Sequence, residues 1–178
     1  MAIDQALLLQ ESIFYYEKRN QEFYPGSSLV PVPKRRIFIG HALESFRMVE
    51  GFIVLMQKAG IEAYFDWESG NFTDEFNRDA LRDLKNRIAR CEVYLFLSTE
   101  QSLASSSCLK SLEFATLINR KVYDVQTFAG DMEFFIRPNG KYSQLTVERT
   151  HGTRNYRIRV LDKQYAKLWV PITNVSQL

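Results

Sequence analysis

Four short apolar runs, separated by three segments of helical length, constrain this chain more than any other feature. The runs are Ile37–Ile39 within "RRIFIG", then "IEAYFDW" stopping at Asp66, "EVYLFLS", and "KVYDVQTF". The first intervening segment keeps Phe46, Val49, Ile53 and Met56 on one helical face and ends at Gly60. The second, over about 73–90, repeats Phe76, Ala80, Leu84 and Ile88 at spacings of four. The third follows a Ser-rich loop, 102–107, and reads "SSSCLKSLEFATL". Strand and helix alternating over short connections predict a parallel sheet wound with helices, an α/β fold. Ligands of such folds sit beyond the C-terminal ends of the strands. Three of those ends are "GHALES", "DWESGNF" and "STEQSLASSS".

The flanks read differently. Residues 3–23 predict a helix with Ala6, Leu9, Ile13 and Tyr16 on its apolar face. "YPGSSLVPVPKRR" then carries Pro25, Gly26, Pro31 and Pro33, which break a helix and make a linker. Beyond residue 130, "YSQLTVER" and "NYRIRVL" alternate with period two around the hairpin loop "THGTRN", and "AKLWVPI" offers a further strand. The expected division is an N-terminal helix and linker over 1–33, an α/β domain over 34–130, and an antiparallel β extension over 131–178 that continues the sheet or packs beside it.

Composition narrows the function. A net charge of +2 is too small to imply a polyanion partner, so nucleic acid is not expected. No apolar run approaches the length of a membrane span, and "ALLL" near the start lacks the basic flank of a signal peptide. Cys91 and Cys108 read as reduced thiols of a cytoplasmic protein. There is no GxxxxGK[ST], GxGxxG or GxSxG, and His41 and His151 are the only histidines, without zinc-ligand spacing. No metal and no resident cofactor are expected.

What remains is a set of residues at the strand ends, Asp66, Trp67, Glu68, Ser98 and the serines, together with Glu113. Glu113 stands among Leu109, Leu112 and Leu117, on what reads as the inward side of its helix. A carboxylate there is costly without a partner or a task. Both readings are open: a structural ion pair, or a catalytic acid. Asp66 reads as a turn or cap residue or a ligand contact, Trp67 as packed or stacked on a base, the serines 105–107 as a loop and helix cap, and His41 as a loop residue near the site.

In four segments the chain resembles the Toll/interleukin-1 receptor (TIR) domain family, in its bacterial form, over about residues 35–128. "RRIFIGHA" is similar to that family's first strand. "GIEAYFDWESGNFTDEF" resembles its second strand and BB loop. "CEVYLFLSTEQSLASS" resembles its strand ending in Leu-Ser, and "CLKSLEFA" the helix of its glutamate, commonly written Trp-Cys-x-x-Glu or Trp-x-x-x-Glu. The resemblance implies a flavodoxin-like TIR fold and cleavage of the nicotinamide–ribose bond of NAD, the substrate, with Glu113 as the catalytic carboxylate. That acid would steady a positively charged ribose as carboxylates do in glycoside cleavage. It further implies substrate contacts from Phe38, Gly40, His41, Asp66, Trp67, Glu68, Ser98 and Leu109. It also implies self-association through TIR–TIR contacts, an upstream sensor or downstream effector, and a part in antiphage defence. Two positions depart from the pattern: Leu109 stands where the family has Trp, and Gly40 where it has Ser, which lets a ligand approach the backbone. Two alternatives accompany this reading. One is a TIR–TIR scaffold without catalysis; the other is an enzyme like the nucleoside deoxyribosyltransferases.

Overall fold

A computed structural model describes residues 2–15, 35–67, 78–130, 141–151, 155–161, 169–173 and 175–178. In chain order these hold β1 (Ile3–Asp4), α1 (Gln5–Ser12), β2 (Arg36–Gly40), α2 (Phe46–Lys58), β3 (Tyr64–Asp66), α3 (Arg78–Ala89), β4 (Val93–Ser98), α4 (Glu100–Ala104), α5 (Ser106–Leu117), β5 (Lys121–Phe128), β6 (Ser143–Arg149), β7 (Tyr156–Leu161) and β8 (Trp169–Ile172). The strands form one mostly parallel sheet in the order β3-β2-β4-β5-β6-β7-β8, with β1 paired to β5 off this path. Strands β2 to β6 run parallel to their neighbours, while β6-β7 and β7-β8 are antiparallel. The chain is therefore α/β, with a strand order consistent with a flavodoxin-like fold.

The period-two alternation of the central strands builds two cores. Ile37, Ile39, Val93, Leu95 and Leu97 face one side with α2, and Phe38, Tyr94 and Phe96 face the other with α3 and α5. All six residues of β4 are buried, as an apolar run covered on both faces must be. Helix α2 ends in a Schellman motif: Gly60 has φ +85°, its N–H reaches the Gln57 carbonyl, and Ile61 N–H reaches that of Met56. Thr99 caps α4 by accepting from Ser102 N–H, and Ser105 caps α5 by accepting from Cys108 N–H. The expected Ser-rich loop is thus mostly helix, with Ser105 alone between α4 and α5.

Helix α1 corrects its predicted face. Ala6, Leu9 and Ile13 are exposed, whereas Leu8, Glu11 and Ser12 are buried; Tyr16 lies outside the described residues. Ile3 and Asp4, expected as helix, are a strand. The reason lies in α2, whose residues Met48–Met56 are all buried because α1 covers the side turned away from the sheet. A Cβ at Gly51 would stand 1.8 Å from the Leu8 carbonyl oxygen, so two helix backbones meet there and fix which of the three consecutive leucines points inward. Lys58 donates to the buried Glu11 carboxylate, as does Tyr156 Oη at 3.2 Å. Phe46, expected on the apolar face of α2, is 41% exposed at the helix start, while Val49, Ile53 and Met56 are buried.

The β6–β8 strands extend the main sheet. Ile158 and Val160 are buried and Arg157 is exposed, as the alternation predicts, and Arg157 and Arg159 both bond Glu148. Among the described residues no helix is long and apolar enough to cross a membrane. Cys91 and Cys108 are buried free thiols.

Candidate functional site at the strand ends

The C-terminal ends of β2 and β4 flank the place where the strand order reverses, the usual ligand crevice of such a sheet. Here the protein's own groups zip it. Ala42 N–H donates to Ser102 Oγ at 3.1 Å, Ser45 and Thr99 hydroxyls lie 3.1 Å apart, and Cys108 Sγ–H reaches the His41 carbonyl at 3.1 Å. Ser45, Thr99 and Ser102 have no solvent exposure. These hydroxyls are mutually satisfied and hold the turn after β2 against the turn after β4.

To one side of this zip, the ends of β2 and β3 place His41 beside Trp67, while Asp66, at the end of β3, turns to Arg87 on the Phe38 side of the sheet. His41 Nδ1 lies 3.1 Å from the Ile39 carbonyl, which only accepts, so Nδ1 carries the proton and Nε2 a lone pair. Nε2 is buried and has no hydrogen-bond partner among the described residues. Burial pushes the imidazole pKa down, with Arg87 adding in the same direction against the Ile39 bond, so the ring is neutral at pH 7. Its neighbour is Trp67, with ring centroids 6.0 Å apart. Trp67 meets Tyr15 edge-on and donates to its hydroxyl at 3.3 Å. Asp66 forms an ion pair with Arg87, whose guanidinium also lies over the Phe38 ring. Glu68 lies outside the described residues.

To the other side, Asp124 is 2% exposed in β5 and accepts from Ser98 Oγ and from Gln126 Nε2. Desolvation raises its pKa, against those two hydrogen bonds. The sign follows. A carboxyl whose folded pKa lies above its unfolded value of 3.8 contributes stability below that value and loses it as pH rises through the folded pKa. Asp124→Asn therefore gains stability on the parent as pH rises from 3.8, levelling off above the raised pKa; melting both proteins between pH 3.5 and 8 checks this. A constant gap across that range removes the argument.

Three expectations change with the side chains in place. Gly40 does not open the backbone to a ligand: a Cβ there would lie 2.0 Å from Tyr94 Oη, so the space is already filled. Phe38 is 5% exposed and stacked on Tyr94, ring centroids 5.5 Å apart, a core contact. Glu113 does not point inward. The buried stripe of α5 is Cys108, Ser111, Leu112 and Ala115, spaced i, i+3, i+4, i+7. At 100° per residue Glu113 lies about 140° round from Cys108. It is exposed, between Leu109 at 42% and Leu117 at 77%. The buried polar position of the helix is Ser111. Ser111 donates to the Cys108 carbonyl at 2.8 Å, so the 2.6 Å contact with Tyr94 has the tyrosine as donor.

The strand ends thus bring His41 to Trp67, and separately Asp66 to Arg87 and Ser98 to Asp124, while Leu109 and Glu113 lie on the outer face of α5. Sequence reading missed Arg87, Ser111 and Asp124. A lone acid inside "KVYDVQTF" and the residue three after Cys108 were the available signals; Arg87 gave none, standing as one of several cations on α3. Among the described residues no cluster of His, Cys, Asp or Glu has metal-binding geometry. No protein-family model and no curated protein matches the chain.

Proposed function

We propose that the chain is a TIR-type module that works by assembling with further copies or TIR-type partners, through the outer face of α5. One observation carries this reading: the inward position of α5 holds a neutral, hydrogen-bonded serine, while Glu113 stands outside between two exposed leucines. A scaffold has no need of a carboxylate in a pocket. Exposed leucines one helical turn either side of a charge suit a surface that is covered on assembly. The zipped crevice between β2 and β4 points the same way.

A second reading keeps NAD cleavage by Glu113, with a role in antiphage defence. It is favoured by the apolar frame of that same carboxylate, since a copy docked over Leu109 and Leu117 would exclude water and strengthen the acid's hold on a cationic ribose. Sedimentation velocity up to about 100 µM, beside a nicotinamide-release assay, separates the two. We expect concentration-dependent assembly that the double variant Leu109→Asp/Leu117→Asp weakens at least about tenfold, since each buried leucine contributes roughly 1.5–3 kcal/mol. We expect no NAD turnover in the parent. Turnover that Glu113→Gln abolishes in a folded protein would establish the enzyme instead. A strictly monomeric, inactive chain would remove both.

A further inference from the structure

Two short stretches on different helices carry one pattern with the charges exchanged. Leu43–Arg47 reads "LESFR" and Leu109–Glu113 reads "LKSLE". In each, a leucine leads, the middle serine is buried, and opposite charges stand second and last. Both leading leucines are exposed, Leu43 at 55% and Leu109 at 42%, and so are all four charged residues. Phe46 is exposed too, with the Arg47 guanidinium 6.0 Å above its ring. The first stretch is a single helical turn, Leu43–Ser45, running into the start of α2; the second lies on α5.

Laid side by side in the same chain direction, the two stretches set Glu44 against Lys110 and Arg47 against Glu113. Laid in opposite directions, every charge meets an apolar residue, so the charges select the first arrangement. Lys110 already has an interaction within its own chain. Arg47 and Glu113 have no hydrogen bond or ion pair among the described residues, so theirs is the pairing on offer. It is not made within one chain, because α2 and α5 cover opposite faces of the sheet.

The other exposed surfaces fit α5 less well. Leu9, Ile13 and Phe14 have Lys58 over the Phe14 ring, but Lys58 is bonded to Glu11. Tyr64 offers a single apolar group beside Arg36. A second α5 packed about a two-fold axis centred on Glu113 would set that carboxylate against its own copy, and like charges brought together resist contact.

We infer that the surface α5 docks on is the Leu43–Arg47 turn of a second copy of the chain, with Arg47 on Glu113 and with Leu43 and Phe46 against the exposed leucines of α5. This inference rests on the assembly reading and names the partner surface that reading requires. Apolar groups around one charge pair make an interface whose charges set orientation while the leucines supply burial.

Charge exchange in the full chain tests it, read by sedimentation velocity. Arg47→Glu and Glu113→Arg should each weaken assembly at least about tenfold, since each sets like charges together. The double variant Arg47→Glu/Glu113→Arg should recover to within about threefold of the parent. Leu43→Asp, which alters neither partner of the ion pair, should weaken assembly as Arg47→Glu does. All four positions are exposed or substituted at the surface, so the variants should melt with the parent. A parent that assembles while Arg47→Glu and Leu43→Asp assemble equally well overturns this inference and leaves the α5 reading standing. A double variant as weak as its singles also overturns it. A parent that stays monomeric removes the assembly reading and this inference together.

Discussion

Gly40→Ala should destabilise the protein by about 3 kcal/mol, a fall of roughly 6–10 °C in melting temperature for a chain of this size. The added methyl meets Tyr94 Oη at 2.0 Å and Cζ at 2.6 Å. A flexible side chain could swing aside, but Tyr94 cannot. It has no exposed surface, its ring stacks on Phe38, and its hydroxyl is bonded to Ser111. Burial raises its pKa to a value far above neutrality, so the phenol stays a donor over the working range. Relief must therefore come from moving β2 or β4, each hydrogen-bonded to a strand on either side, or α5 where its buried stripe meets the sheet. Tyr94→Ala restores the space at the cost of a cavity, so the double variant Gly40→Ala/Tyr94→Ala should lose less than the two singles added together. Thermal melts of the four proteins measure this. If Gly40→Ala melts with the parent, Tyr94 moves freely and the site is open as the sequence reading expected.

That contact also shows which parts of the molecule a sequence can disclose. The residues of β4 are apolar without a break, and only burial on both faces suits them. Gly60 and Ser105 signal helix ends through local chemistry, and they act there. The orientation of α1 and α5 is another matter. In "ALLL" three consecutive leucines offer three faces, and the choice is made by Gly51, far along the chain. In "SCLKSLEFATL" leucines 109, 112 and 117 surround Glu113 on the page, but the helix is turned by the bond between Ser111 and Tyr94. Both rotations are set by contacts distant in sequence, and periodicity carries no record of them. The strand-end placement of His41, Asp66 and Trp67 was legible because topology alone fixes it. The zip of hydroxyls beside them was not, since serine and threonine at a turn read equally as caps.

Breaking the Asp66–Arg87 pair should give the second large effect. The two side chains are 18% and 20% exposed, so the pair is neither a solvated surface contact nor fully dry. Asp66 ends β3 and Arg87 lies on α3, so the pair ties the edge strand to the helix that covers Phe38. Removing one partner leaves the other charge half desolvated, which costs more than the pair itself contributes. We expect about 2–3 kcal/mol lost in Asp66→Asn and in Arg87→Met, with a coupling of about 1–2 kcal/mol in the double variant, below the fully buried range because solvent still reaches both groups. Urea unfolding of the four proteins gives the cycle. The result bears on function directly. A strongly coupled Asp66 is already committed to Arg87, so any ligand it touches must compete with a guanidinium. A coupling near zero would free Asp66 for the strand-end site and strengthen the case for a small molecule bound beside His41 and Trp67.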